Sequence, residues 1–315
     1  MAVVRGNGPS PVGCSTHLSG PRPGGCCFGL GPAWGGPGRG RLPPFQEAEK
    51  GGWVRCFSAS QRVRSERVSM KVVLLGATRG MGRVLARQLA AKSGVDLFLL
   101  GRDAEELARC AADLTVRNGR AKVGVGHCDL AQPEGFASAL EAAHAFLDGF
   151  DTVVVTAGLF GTQDQLEADT DLALRVMTVN YPCTVAFCEH ARRYLLARGG
   201  GRLVVFSSVA GDRGRSSVGI YGSSKAGISH YLESLDHRYR KHGLVTLCVK
   251  PGFVRTGMTA GLKPPPFAGE PEDVASQVIA ALERNRPLIY APRIWALVML
   301  VIRLLPRVVM RRLNF

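Results

Sequence analysis

The chain has 315 residues, 46% of them hydrophobic, and a formal net charge of +15, which is length enough for one large domain with a full core. The charge is uneven: residues 1–69 hold nine basic and three acidic side chains, residues 284–315 hold seven arginines and no acid, and the stretch between is nearly neutral. A nucleic-acid binder would carry its basic footprint on the folded surface, so this distribution argues against one and points instead to a tail that meets anionic lipid.

Residues 1–69 are rich in Gly, Pro, Arg and Ser and show no apolar periodicity, so they are expected to lie outside the fold as a disordered or leader extension. They contain no continuous apolar run of the kind a secretory signal needs. Two readings stay open: an Arg-rich organellar transit peptide with a cleavage site near Arg55-Cys56-Phe57-Ser58, or translation that starts at Met70. The nine cysteines form no C-x-x-C pair and no His/Cys cluster with metal-ligand spacing, which points to reduced thiols and no metal.

From Met70 the pattern changes. Short apolar runs at 71–75, 95–100, 121–127, 151–156, 202–207, 244–250 and 287–291 predict buried strands. Between most of them lie amphipathic stretches of helical length: Gly80–Lys92, Asp103–Val116, Gly135–Leu147, Leu172–Ala197 and Ser217–Lys241. Such alternation predicts an α/β domain over residues 70–291. Its architecture is a single doubly wound, Rossmann-type, mainly parallel sheet of about seven strands with helices on both faces.

The first strand runs into Gly76-Ala77-Thr78-Arg79-Gly80-Met81-Gly82, a glycine turn that opens a helix. Glycines there let the backbone approach a pyrophosphate, and the helix N-terminus offers unpaired N–H groups to its charge. The second strand ends Leu99-Leu100-Gly101-Arg102, with no acid to accept from an adenosine ribose. Arg102 and Arg79 suit a 2′-phosphate, because the planar guanidinium donates bidentately, so NADPH (NADP+) is the expected cofactor. Further on, Tyr221 stands four residues before Lys225, thirteen after Ser208 at a strand end. On a helix that spacing puts phenol and ammonium on one face. The ammonium is expected to lower the phenol pKa toward working pH, as a general acid/base requires.

These landmarks together resemble the short-chain dehydrogenase/reductase family across essentially all of residues 70–291. Asp129-Leu130, Ala157-Gly158, Asn180 and Pro251-Gly252 complete the matching set. The resemblance implies that Tyr221 exchanges a proton with the substrate oxygen, Ser208 holds that oxygen, and Lys225 binds the nicotinamide ribose and tunes Tyr221. It further implies that Asn180 positions a water relaying protons to Lys225, that Asp129 and Leu130 contact adenine, and that Val254 and Thr256 border the nicotinamide. Two departures concern local support: Leu75 stands where threonine is usual, and Val155-Thr156-Ala157-Gly158 lacks the usual asparagines.

In residues 292–315 the uninterrupted apolar run Ile294–Ile302 falls short of the roughly 20 residues that span a bilayer. If helical, Arg303, Arg307 and Arg311 form a basic stripe beside an apolar face with Trp295. That predicts a peripheral anchor on the cytoplasmic face of an anionic membrane. The alternative is an apolar helix packed on a partner subunit of a homo-oligomer. The segment from Tyr221 onward, including Arg255-Thr256-Gly257-Met258 and Leu262-Lys263-Pro264, resembles the branch of the family that reduces decaprenylphosphoryl-2-keto-erythro-pentofuranose in cell-wall biosynthesis. The implied substrate is a lipid-linked keto-sugar, with residues 255–269 as its covering loop. A 3-ketosphinganine or other keto-lipid reductase would use a hydrophobic tail equally well. From another class comes a non-catalytic NADP-binding sensor or scaffold, but a pure binder has no need of the proton path through Asn180, Ser208, Tyr221 and Lys225. A hydrolase would need a GxSxG elbow, which the sequence lacks.

Overall fold

The structure is a computed structural model that describes residues 70–117 and 121–313. The expectations for residues 1–69 and their four cysteines lie outside the described residues. The first strand, β1 (Met70–Leu75), packs Val72 and Leu74 into one core and Val73 and Leu75 into another. Burial from both sides explains why the run is continuously apolar rather than alternating.

After β1 the chain continues α1 (Gly80–Ala90), β2 (Val95–Gly101), α2 (Ala104–Arg117), β3 (Val123–His127), α3 (Phe136–Leu147) and β4 (Thr152–Val155). Next come α4 (Gln163–Ala168), α5 (Thr170–Thr178), a π-helical turn (Val179–Cys183), α6 (Thr184–Ala197), β5 (Gly201–Phe206) and α7 (Gly219–Tyr239). The fold closes with β6 (Leu244–Pro251), α8 (Pro271–Glu283), β7 (Leu288–Ala291), α9 (Ile294–Leu304) and α10 (Arg307–Met310). All seven strands are parallel, in the order β3-β2-β1-β4-β5-β6-β7. Helices α3, α6 and α7 cover one face and α1, α2 and α8 the other. The order reverses between β1 and β4, and the crevice beyond the carboxyl ends of strands at such a switch point is where open α/β sheets bind ligands.

Three differences from the sequence reading have local causes. The stretch Leu172–Ala197, expected as one helix, is broken by the π turn around Pro182, whose ring occupies the place of an N–H donor. Helices α4 and α8 went unread although both carry start signals: a Thr162/Gln165 capping box in one, Pro271 followed by Glu272 and Asp273 in the other. In the tail, Leu305 and Pro306 separate α9 from α10, so Arg303, Arg307 and Arg311 do not share one continuous helix.

The expected apolar face of the tail divides in two. Trp295, Met299 and Ile302 turn inward and pack with Val209, one residue past Ser208, while Leu297, Leu300, Val301 and Leu304 are exposed. Trp295 is therefore a core residue of the domain and not part of a lipid-facing surface. No helix among the described residues is long and apolar enough to cross a membrane.

Candidate active site

The glycine turn between β1 and α1 is held by contacts too close for any other residue. Gly76 has φ +99°, and a Cβ there would lie 2.6 Å from both the Ala157 nitrogen and the Thr156 hydroxyl. A Cβ on Gly82 would lie 2.1 Å from the Gly76 carbonyl oxygen. Thr156, at the mouth of β4, donates toward the Leu75 and Gly76 carbonyls at 3.1 and 3.0 Å. A hydroxyl thus supplies the support expected of the missing asparagine.

Helix α1 opens at Gly80 with an extended Arg79 before it, no side-chain cap and no acid in its first turn. Its orphan N–H groups are left to a ligand's negative charge. They face a cavity of about 490 Å³ lined by Gly76, Thr78, Arg79, Gly80, Met81, Gly82, Arg102, Asp129, Leu130, Ala157, Gly158 and Thr256. All of these were candidates from the sequence. Gly101, Cys128, Thr156, Leu159, Phe160, Val179, Gly257 and Met258 also line it and were not. Neither Arg79 nor Arg102 has a side-chain partner among the described residues. The cradle therefore fits a dinucleotide: open N–H groups for the pyrophosphate and, for a further phosphate, two arginines with no side-chain partner among the described residues.

Seven of the sequence candidates do not line this cavity: Asn180, Ser208, Tyr221 and Lys225, described below, and three residues after β6. Pro251 ends β6, Val254 is 3% exposed within the core, and Gly252 lies under the Trp295 indole, where a Cβ would be 2.1 Å from Nε1. They shape the floor of the loop after β6 from behind. That loop is pinned at its base by the Val254–Gly269 bridge and at its far end by Trp295 Nε1 donating to the Phe267 carbonyl at 3.1 Å. Nothing in the sequence motif pointed to Trp295, because its partners are distant in the chain.

The proton chemistry sits beside the cavity. Ser208 is extended (φ −167°) at the carboxyl end of β5, and its Oγ accepts from the Ala210 N–H at 3.1 Å. The Ser208 side chain stands beside the Tyr221 phenol, near enough to pull its pKa down against the effect of burial. Phe160, from the cavity wall, packs edge-on against the phenol ring with centroids 5.0 Å apart. Lys225, one turn on, donates to the Phe206 carbonyl at 3.0 Å, and its Nζ would be 3.4 Å from a Cβ on Gly158. Lys225 therefore stands at the cavity edge, next to a residue of its wall. Tyr221, Ser208 and Lys225 are brought together as the spacing predicted.

The electrostatic balance differs from the sequence expectation. Burial pushes the Tyr221 phenol up to about 12, against the opposing pull of Ser208. Burial also pushes the Lys225 ammonium down to about 8. The Nζ lies 5.8 Å from the phenol ring centroid and its hydrogen bond goes to backbone, so desolvation outweighs charge attraction here. At neutral pH the phenol carries its proton, the state a proton donor needs.

Asn180, in the π turn, is fully engaged. Its Oδ1 accepts from the Leu159 N–H at 2.7 Å, and its Nδ2 donates to the Leu159 carbonyl at 2.8 Å and to Ser224 Oγ at 3.3 Å. Ser224 in turn donates to the Tyr221 carbonyl at 2.7 Å. The amide side chain thus ties the segment after β4 to the turn of α7 that carries the tyrosine. The five described cysteines are free and buried, and burial pushes the thiol of Cys128, on the cavity wall, up to about 12.

A profile for short chain dehydrogenases matches residues 70–266. Among curated proteins, an uncharacterized oxidoreductase of Mycobacterium tuberculosis is 35% identical over 247 residues, covering 77% of this chain and 96% of the relative. The fold matches an actinorhodin polyketide ketoreductase variant solved with NADPH, at TM-score 0.63 and 23% identity, covering 70% of this chain and 95% of the other. It also matches the L-sorbose reductase of Gluconobacter frateurii in complex with NADPH and L-sorbose, at TM-score 0.63 and 21% identity, covering 71% and 95%.

Proposed function

The chain belongs to the short-chain dehydrogenase family and is an NAD(P)-dependent oxidoreductase, and from that premise we propose that it reduces a ketone on a lipid-linked substrate with NADPH. The observation that carries this reading is the half-buried Tyr221 phenol, which keeps its proton at neutral pH and stands beside Ser208 at the cavity edge. NADPH, when bound, supplies the hydride. Ser208 holds the carbonyl oxygen, and Tyr221 gives that oxygen its proton as it becomes a hydroxyl. Arg79 and Arg102, on the cavity wall and without a side-chain partner among the described residues, support the phosphorylated dinucleotide over NADH.

A lipid-linked substrate is supported by what surrounds the site. Helix α9 packs directly behind the Ser208 turn and the loop after β6, and its other face is apolar and exposed. Met258 and Phe267, on that same loop, are exposed apolar side chains. A keto-sugar on polyprenyl phosphate fits this setting, with residues 292–315 meeting the cytoplasmic face of an anionic membrane. The test is NADPH consumption by the full chain across lipid-linked keto-sugars, keto-lipids such as 3-ketosphinganine, and soluble ketones. Turnover of a lipid-linked ketone that Tyr221→Phe loses by about 10²–10⁴-fold, with NADPH affinity unchanged, is the expected result. A variant that keeps its turnover would refute the assignment of the proton donor, and exclusive use of soluble ketones would refute the substrate class.

A further inference from the structure

A second groove, of about 650 Å³, runs beside the free edge of β7 between the C-terminal half of α8 and the start of α9. Ala281, Leu288 and Ile289 contribute apolar floor, and Arg284, Arg286 and Arg293 stand around it. None of these three arginines has a side-chain partner among the described residues. The nearest acid in the chain, Glu283, is bonded to Lys92 instead. From Arg284 to the end of the sequence there is no acidic residue at all.

Three guanidiniums without a side-chain partner among the described residues, set around an apolar floor, complement an amphiphile with an anionic head. The floor also has a continuation. Ala296 of α9 lines the groove, and Leu300 and Leu304, four and eight residues on, extend the same helix face outward. Those two leucines are 54% and 75% exposed. A second copy of the chain is the other candidate for an open strand edge. A two-fold contact through this groove would set the three arginines against the same three, with no acid present to offset the repulsion.

We propose that this groove seats the phosphate headgroup of an anionic membrane lipid, with the acyl chains lying along the outward face of α9. The inference rests on the membrane contact proposed above and assigns it to Arg284, Arg286 and Arg293, which precede the tail helix or begin it.

The experiment uses full-length protein and cosedimentation with two vesicle types, phosphatidylcholine alone and phosphatidylcholine with about one-third phosphatidylglycerol. Wild type is expected to prefer the anionic vesicles, and the triple variant Arg284→Gln/Arg286→Gln/Arg293→Gln to lose roughly 100-fold in partitioning. Equal binding by variant and wild type, or no binding of wild type to either vesicle, overturns the proposal. Saturable thermal stabilisation by inorganic phosphate that the variant loses overturns it in favour of a soluble anion. A dimer that the variant dissociates, measured by light scattering, overturns it in favour of a second copy. Far-UV circular dichroism and melting temperature confirm that the variant folds. Because binding is scored without substrate, failure of the ketone assignment leaves this result readable by itself.

Discussion

Gly82→Ala isolates the closest contact in the cofactor cradle. The added methyl would sit 2.1 Å from the Gly76 carbonyl oxygen and 2.5 Å from the Thr156 hydroxyl, so one of them must retreat by on the order of 1 Å. Gly76 is held in the sheet by its N–H donating to the Leu100 carbonyl at 2.9 Å, and Thr156 is held by two carbonyls. The helix is left to move, which carries its N–H groups away from the phosphate position. Overpacking of this kind costs about 1–3 kcal/mol, and disturbing the Thr156 hydrogen bond adds about 1. The helical preference of alanine over glycine offsets up to about 1. A net loss of about 1–3 kcal/mol in stability follows, with NADPH binding weaker by roughly 10–100-fold. Urea denaturation and fluorescence titration with NADPH measure the two. Gly135→Ala is the control, because a Cβ there meets nothing within 4 Å. A Gly82→Ala protein with wild-type affinity and midpoint would show that the turn does not need its glycine.

Other expectations follow from the same geometry. Arg79→Ala with Arg102→Asp removes the two proposed phosphate partners, so the NADPH-over-NADH ratio in kcat/KM should fall by about 100-fold or more; an unchanged ratio would place the 2′-phosphate elsewhere. Trp295→Ala deletes a buried indole worth about 3–5 kcal/mol of local packing. The ketone KM should rise while NADPH affinity holds, and an unmoved KM would mean α9 does not support the substrate side. Lys225 has a folded pKa of about 8 against an ordinary 10.5. Between those values the unfolded chain keeps a proton that the folded chain has released, so this lysine contributes stability that rises with pH, by about 2–3 kcal/mol between pH 7 and 10, against the opposite contribution of buried thiols such as Cys128. Lys225→Met should therefore shift the pH 10 minus pH 7 difference in urea-derived stability downward by about that amount relative to wild type; the same difference in both proteins would disprove its origin in this lysine.

The parts visible in the sequence were those whose signal is local. Strands β1, β2 and β5 are buried on both faces, so each is a continuous apolar run that reads without any tertiary knowledge. The Tyr221/Lys225 spacing and the glycine turn are local in the same sense. What stayed hidden depends on residues far apart in the chain. Phe160 meets Tyr221 across the cavity, Thr156 holds a turn eighty residues earlier, and Trp295 covers Gly252. The tail shows the limit of periodicity most plainly. A helix apolar on most of its surface does not say which face turns inward, and the Val209 patch that captures Trp295, Met299 and Ile302 is invisible until the sheet exists. The pKa balance of Tyr221 and Lys225 was likewise misjudged, because depth of burial is a property of the fold and not of their spacing.

The reversal of strand order between β1 and β4 divides the labour of recognition. On one wing stand Arg79 and Arg102, which we propose read the reductant; on the other stand α9 and the loop after β6, which we propose receive the ketone. The Thr156 hydroxyl and the tightly stacked glycines stitch the wings together along that seam. Under that proposal the two choices are set on separate wings, while the seam between them leaves no room for a Cβ at Gly76 or Gly82.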